Sequence, residues 1–168
     1  VITDLVQIRR LGEQKREDNR RFRLSLKTYR YVERRLRKLA EEVEEQIDCR
    51  VCANCCKVAT ARLLERDVER LAKHLRVTVS RFLADYTETN EDEGRVLKRT
   101  EESGCVFLSG NDCTVYEVRP AACNDFPHTV RGTGSIPARM WDLIDRACYC
   151  PMVYHTIEAW KKETGYTR

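Results

Sequence analysis

The sequence predicts an α+β protein, with helices around a small antiparallel sheet or hairpin, a cysteine-rich metal core and a long basic N-terminal helix. Three observations carry that expectation. Apolar residues recur every third or fourth position over 20–48, two β-type runs flank a polar turn between Cys105 and Tyr116, and nine cysteines lie in 168 residues. Helical and strand patterns in a chain of roughly one domain's length are the mark of a mixed architecture. Charged residues make up 35% of the chain and apolar ones 42%, which fits a folded protein with a large solvated surface. No apolar run nears the roughly 18 residues of a membrane span, and no signal-peptide pattern is visible.

The helical pattern comes first in the chain. Phe22, Leu26, Tyr29, Val32, Leu36, Leu39, Val43 and Ile47 place one apolar stripe along 20–48, with no Pro or Gly to interrupt it. Residues 2–11 carry a shorter apolar pattern, and 12–20 are wholly polar, either a solvated helical bridge or a break at Gly12. The charge is concentrated here: residues 9–38 hold thirteen Lys or Arg against four acids, while the whole chain is only +4. We therefore expect a basic amphipathic arm over 1–48 and a mildly acidic, cysteine-rich domain over 49–168. The basic face is ordinary solvation unless it serves a protein partner or a nucleic acid; neutralising Arg30, Arg34, Arg37 and Lys38 tests the latter.

Further on, VATARL (58–63) reads as a short strand, and 64–75 and 79–87 as two amphipathic helices that pack together. The turn between them lacks a Gly and the basic residues are scattered, so a DNA-reading pair is not the expectation. TNEDEG (89–94) reads as a polar turn and RVLKR (95–99) as a strand. CVFL and CTVY on either side of SGND give the clearest hairpin signal. Pro120 opens a turn or short helix, RGTGS (131–135) is a loop, and 138–145 and 152–165 are the last helices, the second stopped by Gly165.

The cysteines define the candidate site. An odd number of them with no secretory signal argues for metal ligands rather than disulfides, in a reducing compartment, the cytoplasm. Cys49, Cys52 and Cys55 have the two-residue gaps that let thiolates share one metal. Cys56 directly follows Cys55. Neighbouring side chains diverge, so the pair points to two centres sharing the loop or to one polynuclear cluster. Cys105 and Cys113 open the two hairpin strands, Cys123 follows RPAA, and Cys148 and Cys150 frame Tyr149 before Pro151, where an extended backbone would aim both the same way. Lys57, Arg119 and Arg146 lie close to thiols in sequence and would offset thiolate charge. His128 is the one histidine near the constellation. Tyr116 reads as hairpin packing, and Asp125 has no partner group that would make it a base.

These motifs together, CxxCxxCC, CVFLSGNDCTVYEVRPAACNDFP and CP, resemble the YkgJ-type cysteine-cluster family of zinc- or iron-chelating proteins. The resemblance runs from Cys49 to Pro151 and implies ligands at Cys49, Cys52, Cys55, Cys56, Cys105, Cys113, Cys123 and Cys150. Cys148 is additional and an alternative to Cys150. The chain departs at Ala53, where the family usually has Gly, and at Asn124, where it commonly has Arg. Some larger proteins with a related domain resemble protein-lysine methylating enzymes.

The implied cofactor is an iron–sulfur cluster or iron, with Zn2+ as the alternative. The function expected is a cysteine-ligated metal protein serving as a redox or protein-modification factor. The alternative is a non-enzymatic zinc module presenting its basic helix to nucleic acid or an acidic protein. A glycine-rich phosphate loop, a dinucleotide-binding unit, an H-E-x-x-H helix and the C-x3-C-x2-C spacing of radical enzymes are all missing from the sequence.

Overall fold

A computed structural model of the chain describes residues 1–167. In chain order it runs α1 (Leu5–Thr28), α2 (Glu33–Glu45), α3 (Cys49–Cys52), α4 (Asn54–Val58), α5 (Glu65–Leu75), α6 (Val79–Tyr86), β1 (Thr87–Asn90), β2 (Gly94–Leu97) and β3 (Arg99–Thr100). Then follow β4 (Gly104–Cys105), β5 (Leu108–Ser109), β6 (Asp112–Cys113), a 3-10 turn at Tyr116–Val118, α7 (Ala121–Asp125), α8 (Ile136–Arg146) and α9 (Pro151–Glu163). The six strands make three antiparallel pairs, β1–β2, β3–β4 and β5–β6, which gives the α+β class expected. Two compact units divide the chain: Val1–Cys52 with Pro127–Arg168 (unit 1), and Ala53–Phe126 (unit 2).

Unit 1 is helical. α1 packs on α8 and α9, and α2 packs on α9. Ile8, Phe22, Leu36, Met140, Leu143, Ile157 and Trp160 have essentially no exposed surface. The Trp160 indole N–H, which costs free energy if buried unpaired, donates to the Leu36 carbonyl at 2.7 Å. Asp4 caps the N-terminus of α1 by accepting from the Gln7 amide at 2.9 Å, and Ser135 caps α8 through Ala138.

The single helix expected over 20–48 is two helices. α1 begins at Leu5 and ends at Thr28; α2 starts only at Glu33. Tyr29 and Val32, which continue the apolar spacing, are exposed and extended instead. The stripe was continuous in spacing, but β-branched and aromatic residues over Tyr29–Val32 hold a helix weakly where no packing rewards it. Gly12 does not break α1 either. A Cβ there would lie 2.6 Å from both the Ala147 carbonyl oxygen and the Cys148 Cα, so glycine is what lets α1 meet the end of α8.

Unit 2 is built on Leu63, Val68, Leu71, Ala72, Phe82, Leu97, Phe107 and Val115, with Cys105 and Cys113 packed on the margin of this core. The rings of Phe82, Tyr86 and Phe107 stack at 5.2–6.5 Å. α5 and α6 pack on each other, as the sequence suggests, with Thr78 capping α6 through the Arg81 amide.

Three local expectations are corrected. VATARL is not a strand but a single bridge, Arg62 to Val96. The polar stretch after Thr87 is itself strand β1, in register Thr87–Leu97 to Asn90–Gly94, with the turn confined to 91–93. The SGND hairpin is present but short, Leu108 facing Cys113, while Cys105 pairs with Arg99 on β3.

Candidate metal centre

In unit 2, four segments carry thiols toward one locality. α4 holds Cys55 and Cys56, whose sulfurs are 4.0 Å apart. β4 brings Cys105, and Gly104 beside it explains how. Its φ is +73°, and a Cβ would stand 2.5 Å from the Cys56 carbonyl oxygen and 2.8 Å from the Lys57 Cα. Only a residue without a side chain lets β4 lie directly on the backbone of α4. Cys113 ends β6, and Cys123 sits in α7.

The electrostatics tie these thiols together. Burial is the main cause that pushes Cys105 up to about 11 and Cys123 up to about 12, and it raises Cys113 as well. Charge on Cys56 adds to the rise at all three, and Cys105 and Cys113 add to that at Cys123. Cys56 goes the other way, to about 7. Its hydrogen bond with Cys55 is the largest cause, opposed by burial and helped by its own backbone amide and by Lys57. Cys56 is therefore held readier to ionise than Cys105, Cys113 and Cys123, which lose their protons readily only when a cation replaces them.

Arg119 lies where positive charge opposes the rise at Cys113 and Cys123. Its guanidinium stacks on Tyr116 at 3.9 Å from the ring centre and donates to Asn124 Oδ1 at 3.1 Å. Asn124 thus accepts from Arg119.

In unit 1 the thiols separate by environment. Cys150, the residue before α9, is pushed up to about 12, chiefly by burial and then, against the opposing amide of Val153, by Cys49; Cys52 adds to it. Cys148 answers to different neighbours. Burial raises it to about 11, Arg16 opposes, and Glu13 and Asp145 add to the rise. The Arg16 guanidinium donates to its sulfur at 3.3 Å, to Glu13 at 2.9 Å and to Asp145. The backbone over 147–149 is a turn rather than extended, which is why two cysteines one residue apart do not share neighbours.

Among the other residues singled out by sequence, Lys57 adjoins Cys56 and favours its ionisation, whereas Arg146 pairs with Asp142 at 3.5 Å on α8. His128 lies in unit 1, with φ +66° and its carbonyl accepting from Arg139. Sequence reasoning missed Gly104, Arg16, Asp67 and Arg70; a glycine directly before a motif cysteine was the one signal available.

Among the described residues, no three His, Cys, Asp or Glu side chains are drawn together as a ready-made chelate. The donor chemistry nonetheless fits a thiophilic cation. All nine cysteines are free thiols, and Cys56, Cys105, Cys113 and Cys123 interact at partly buried positions beside a cation. A gathering of partly buried free thiols on short elements is the donor set of a thiolate metal-binding protein.

The chain belongs to the CxxCxxCC family, described as a "putative zinc- or iron-chelating domain", whose model matches residues 48–151, more than half of the chain. That description supports metal binding by the cysteines. No curated protein and no solved structure gave a match. No helix among the described residues is long and apolar enough to cross a membrane.

Proposed function

We propose that the protein holds metal in two thiol groups, one per unit. Cys56, Cys105, Cys113 and Cys123 form the first, with Cys55 as the additional donor; Cys49, Cys52 and Cys150 form the second. Cys148 is assigned to the contact with Arg16 rather than to metal. In this reading the metal is iron, alone or in an iron–sulfur cluster, and it serves redox chemistry or the modification of a partner protein in the cytoplasm. Arg119 and Lys57 balance the thiolate charge. The chelating function belongs to 49–168, of which Arg168 lies outside the described residues, and 1–48 is the arm that meets a partner.

The observation that carries the proposal is the placing of thiols on four short segments of unit 2, with the Cys55 and Cys56 sulfurs 4.0 Å apart on α4, Cys105 on a strand laid against the Cys56 backbone at Gly104, Cys113 on β6 and Cys123 on α7. As thiolates they would repel one another at partly buried positions unless a cation compensated them. The vicinal pair, with sulfurs 4.0 Å apart, favours iron in a polynuclear centre. When bound, the metal would supply either redox capacity or Lewis acidity. The chain's own residues gather the thiolates, place Arg119 against their charge and bury Cys150 from solvent.

Metal analysis with a visible spectrum, on protein purified without oxygen, tests this. Several irons per chain with absorption near roughly 400 nm support the iron reading. About two zinc ions and no colour would replace it with the structural zinc module. Protein that takes up neither metal from solution would end the chelation proposal altogether.

A further inference from the structure

Asp67 on α5 has no exposed side-chain surface. Its Oδ2 accepts from the Leu64 amide at 3.0 Å, an ordinary closure of the helix N-terminus. Its Oδ1 does something less ordinary: it accepts from Arg70 Nη2 at 2.7 Å and from the Ala121 amide at 3.1 Å, a residue 54 positions along the chain. The same Arg70 guanidinium donates to the Arg119 carbonyl at 2.9 Å and to the Val118 carbonyl at 3.3 Å. One ion pair on α5 therefore holds two carbonyls and one amide of the Val118–Ala121 segment. Pro120, between them, has no N–H to offer.

That segment is the approach to the thiol group. Arg119 stands in it, and Ala121 begins the helix that carries Cys123 two residues on. α7 spans only five residues, too few to hold its own place, so its position comes from what grips its start. Burying the Asp67 carboxylate completely against a guanidinium that keeps 40% of its side chain exposed is an expensive way to close a helix end, since a neutral cap would serve there. What the charged pair adds is direction: donors and acceptors aimed at three backbone groups at once.

We propose that Asp67 and Arg70 are positioning residues for the unit 2 metal group, setting Cys123 and Arg119 against Cys56, Cys105 and Cys113. This rests on the reading that those four cysteines hold metal. Neither residue is a ligand; their effect on metal affinity runs through the backbone at 118–121.

The full-length chain is titrated with Co2+, whose thiolate charge-transfer and d–d bands report the number of sulfur ligands and the tetrahedral geometry, against a chromophoric chelator. Arg70→Lys keeps the charge but cannot reach both carbonyls, and Asp67→Asn keeps the shape but presents a donor to one of its donors. Each is expected to weaken one cobalt site at least tenfold and shift its bands toward those of Cys123→Ser, with the other site unchanged. Val68→Ala, a core change one residue from Asp67, is the control for lost stability. Affinity loss that exceeds the control's at matched melting temperature supports positioning. Loss equal to the control's, or wild-type affinity and bands in folded Arg70→Lys, overturns it. A wild-type chain without cobalt–thiolate bands, or a Cys123→Ser spectrum identical to it, removes the chelation reading instead, and this proposal with it.

Discussion

The ammonium of Lys161 and the carboxylate of Asp18 meet at 2.7 Å with only 8% of either side chain exposed. Glu158 also reaches Lys161 at 2.7 Å, and the Tyr166 hydroxyl lies 3.4 Å from the other Asp18 oxygen. The pair joins α1 to α9 inside unit 1. Breaking a buried pair leaves a desolvated charge, so Lys161→Met is expected to cost about 3–5 kcal/mol by urea denaturation. The double change Asp18→Leu/Lys161→Met should recover at least half of that loss. A double variant as unstable as the single one would show that the charge was not the problem.

Gly12→Ala should also destabilise the protein, by less, although alanine is the better helix former. The new methyl would stand 2.6 Å from backbone atoms of Ala147 and Cys148, which cannot rotate away. Overpacking of this kind costs about 1–3 kcal/mol, against less than 1 gained from propensity. The melting temperature decides: a rise on substitution would mean that α1 and the end of α8 are not in contact in solution.

Ala53 has φ +52° and is 2% exposed. The left-handed conformation costs an L-residue roughly 1–2 kcal/mol, and the buried methyl is worth about 0.8. Ala53→Gly is therefore expected within about 1 kcal/mol of the parent. Ala53→Val, β-branched at positive φ, should lose more than about 2 kcal/mol and take up less metal. Equal stabilities for the two variants in denaturant would contradict the left-handed assignment.

Metal uptake in unit 2 should be steeply pH-dependent. Cys105 and Cys123, at about 11 and 12, and the raised Cys113 are protonated at neutral pH, while Cys56, at about 7, is half ionised. Four-thiolate binding then releases about three protons above pH 7 and about four below it. Affinity falls as pH falls, by roughly 10³–10⁴ per unit. Proton release in weakly buffered solution, alongside competition titrations at two pH values, measures the number. One proton or fewer per metal would rule out the four-thiolate set.

The sequence made some of this legible. Period-3.6 patterning found α5, α6, α8 and α9 to within a few residues, and CxxCxxCC marked the thiol loop without any structure. What it hid depended on tertiary contact. Tyr29 and Val32 fit the apolar stripe, and only the absence of anything to pack against shows that α1 ends before them. Spacing alone left Cys148 and Cys150 interchangeable; Arg16, more than a hundred residues away, separates them. Asp67 and Arg70 drew no notice, because their backbone partners at 118–121 are invisible to local pattern.

Unit 2 is one continuous stretch, whereas unit 1 is assembled from both ends of the chain. During synthesis the five thiols of Ala53–Phe126 are all available before α8 and α9 exist, since domains fold as they emerge. Cys49 and Cys52 leave the ribosome earlier still, yet wait for Cys150 to join them. If these three share a metal as proposed, the earliest of the nine thiols to be made are among the last to meet their partner, and Cys49 stays exposed even in the finished fold.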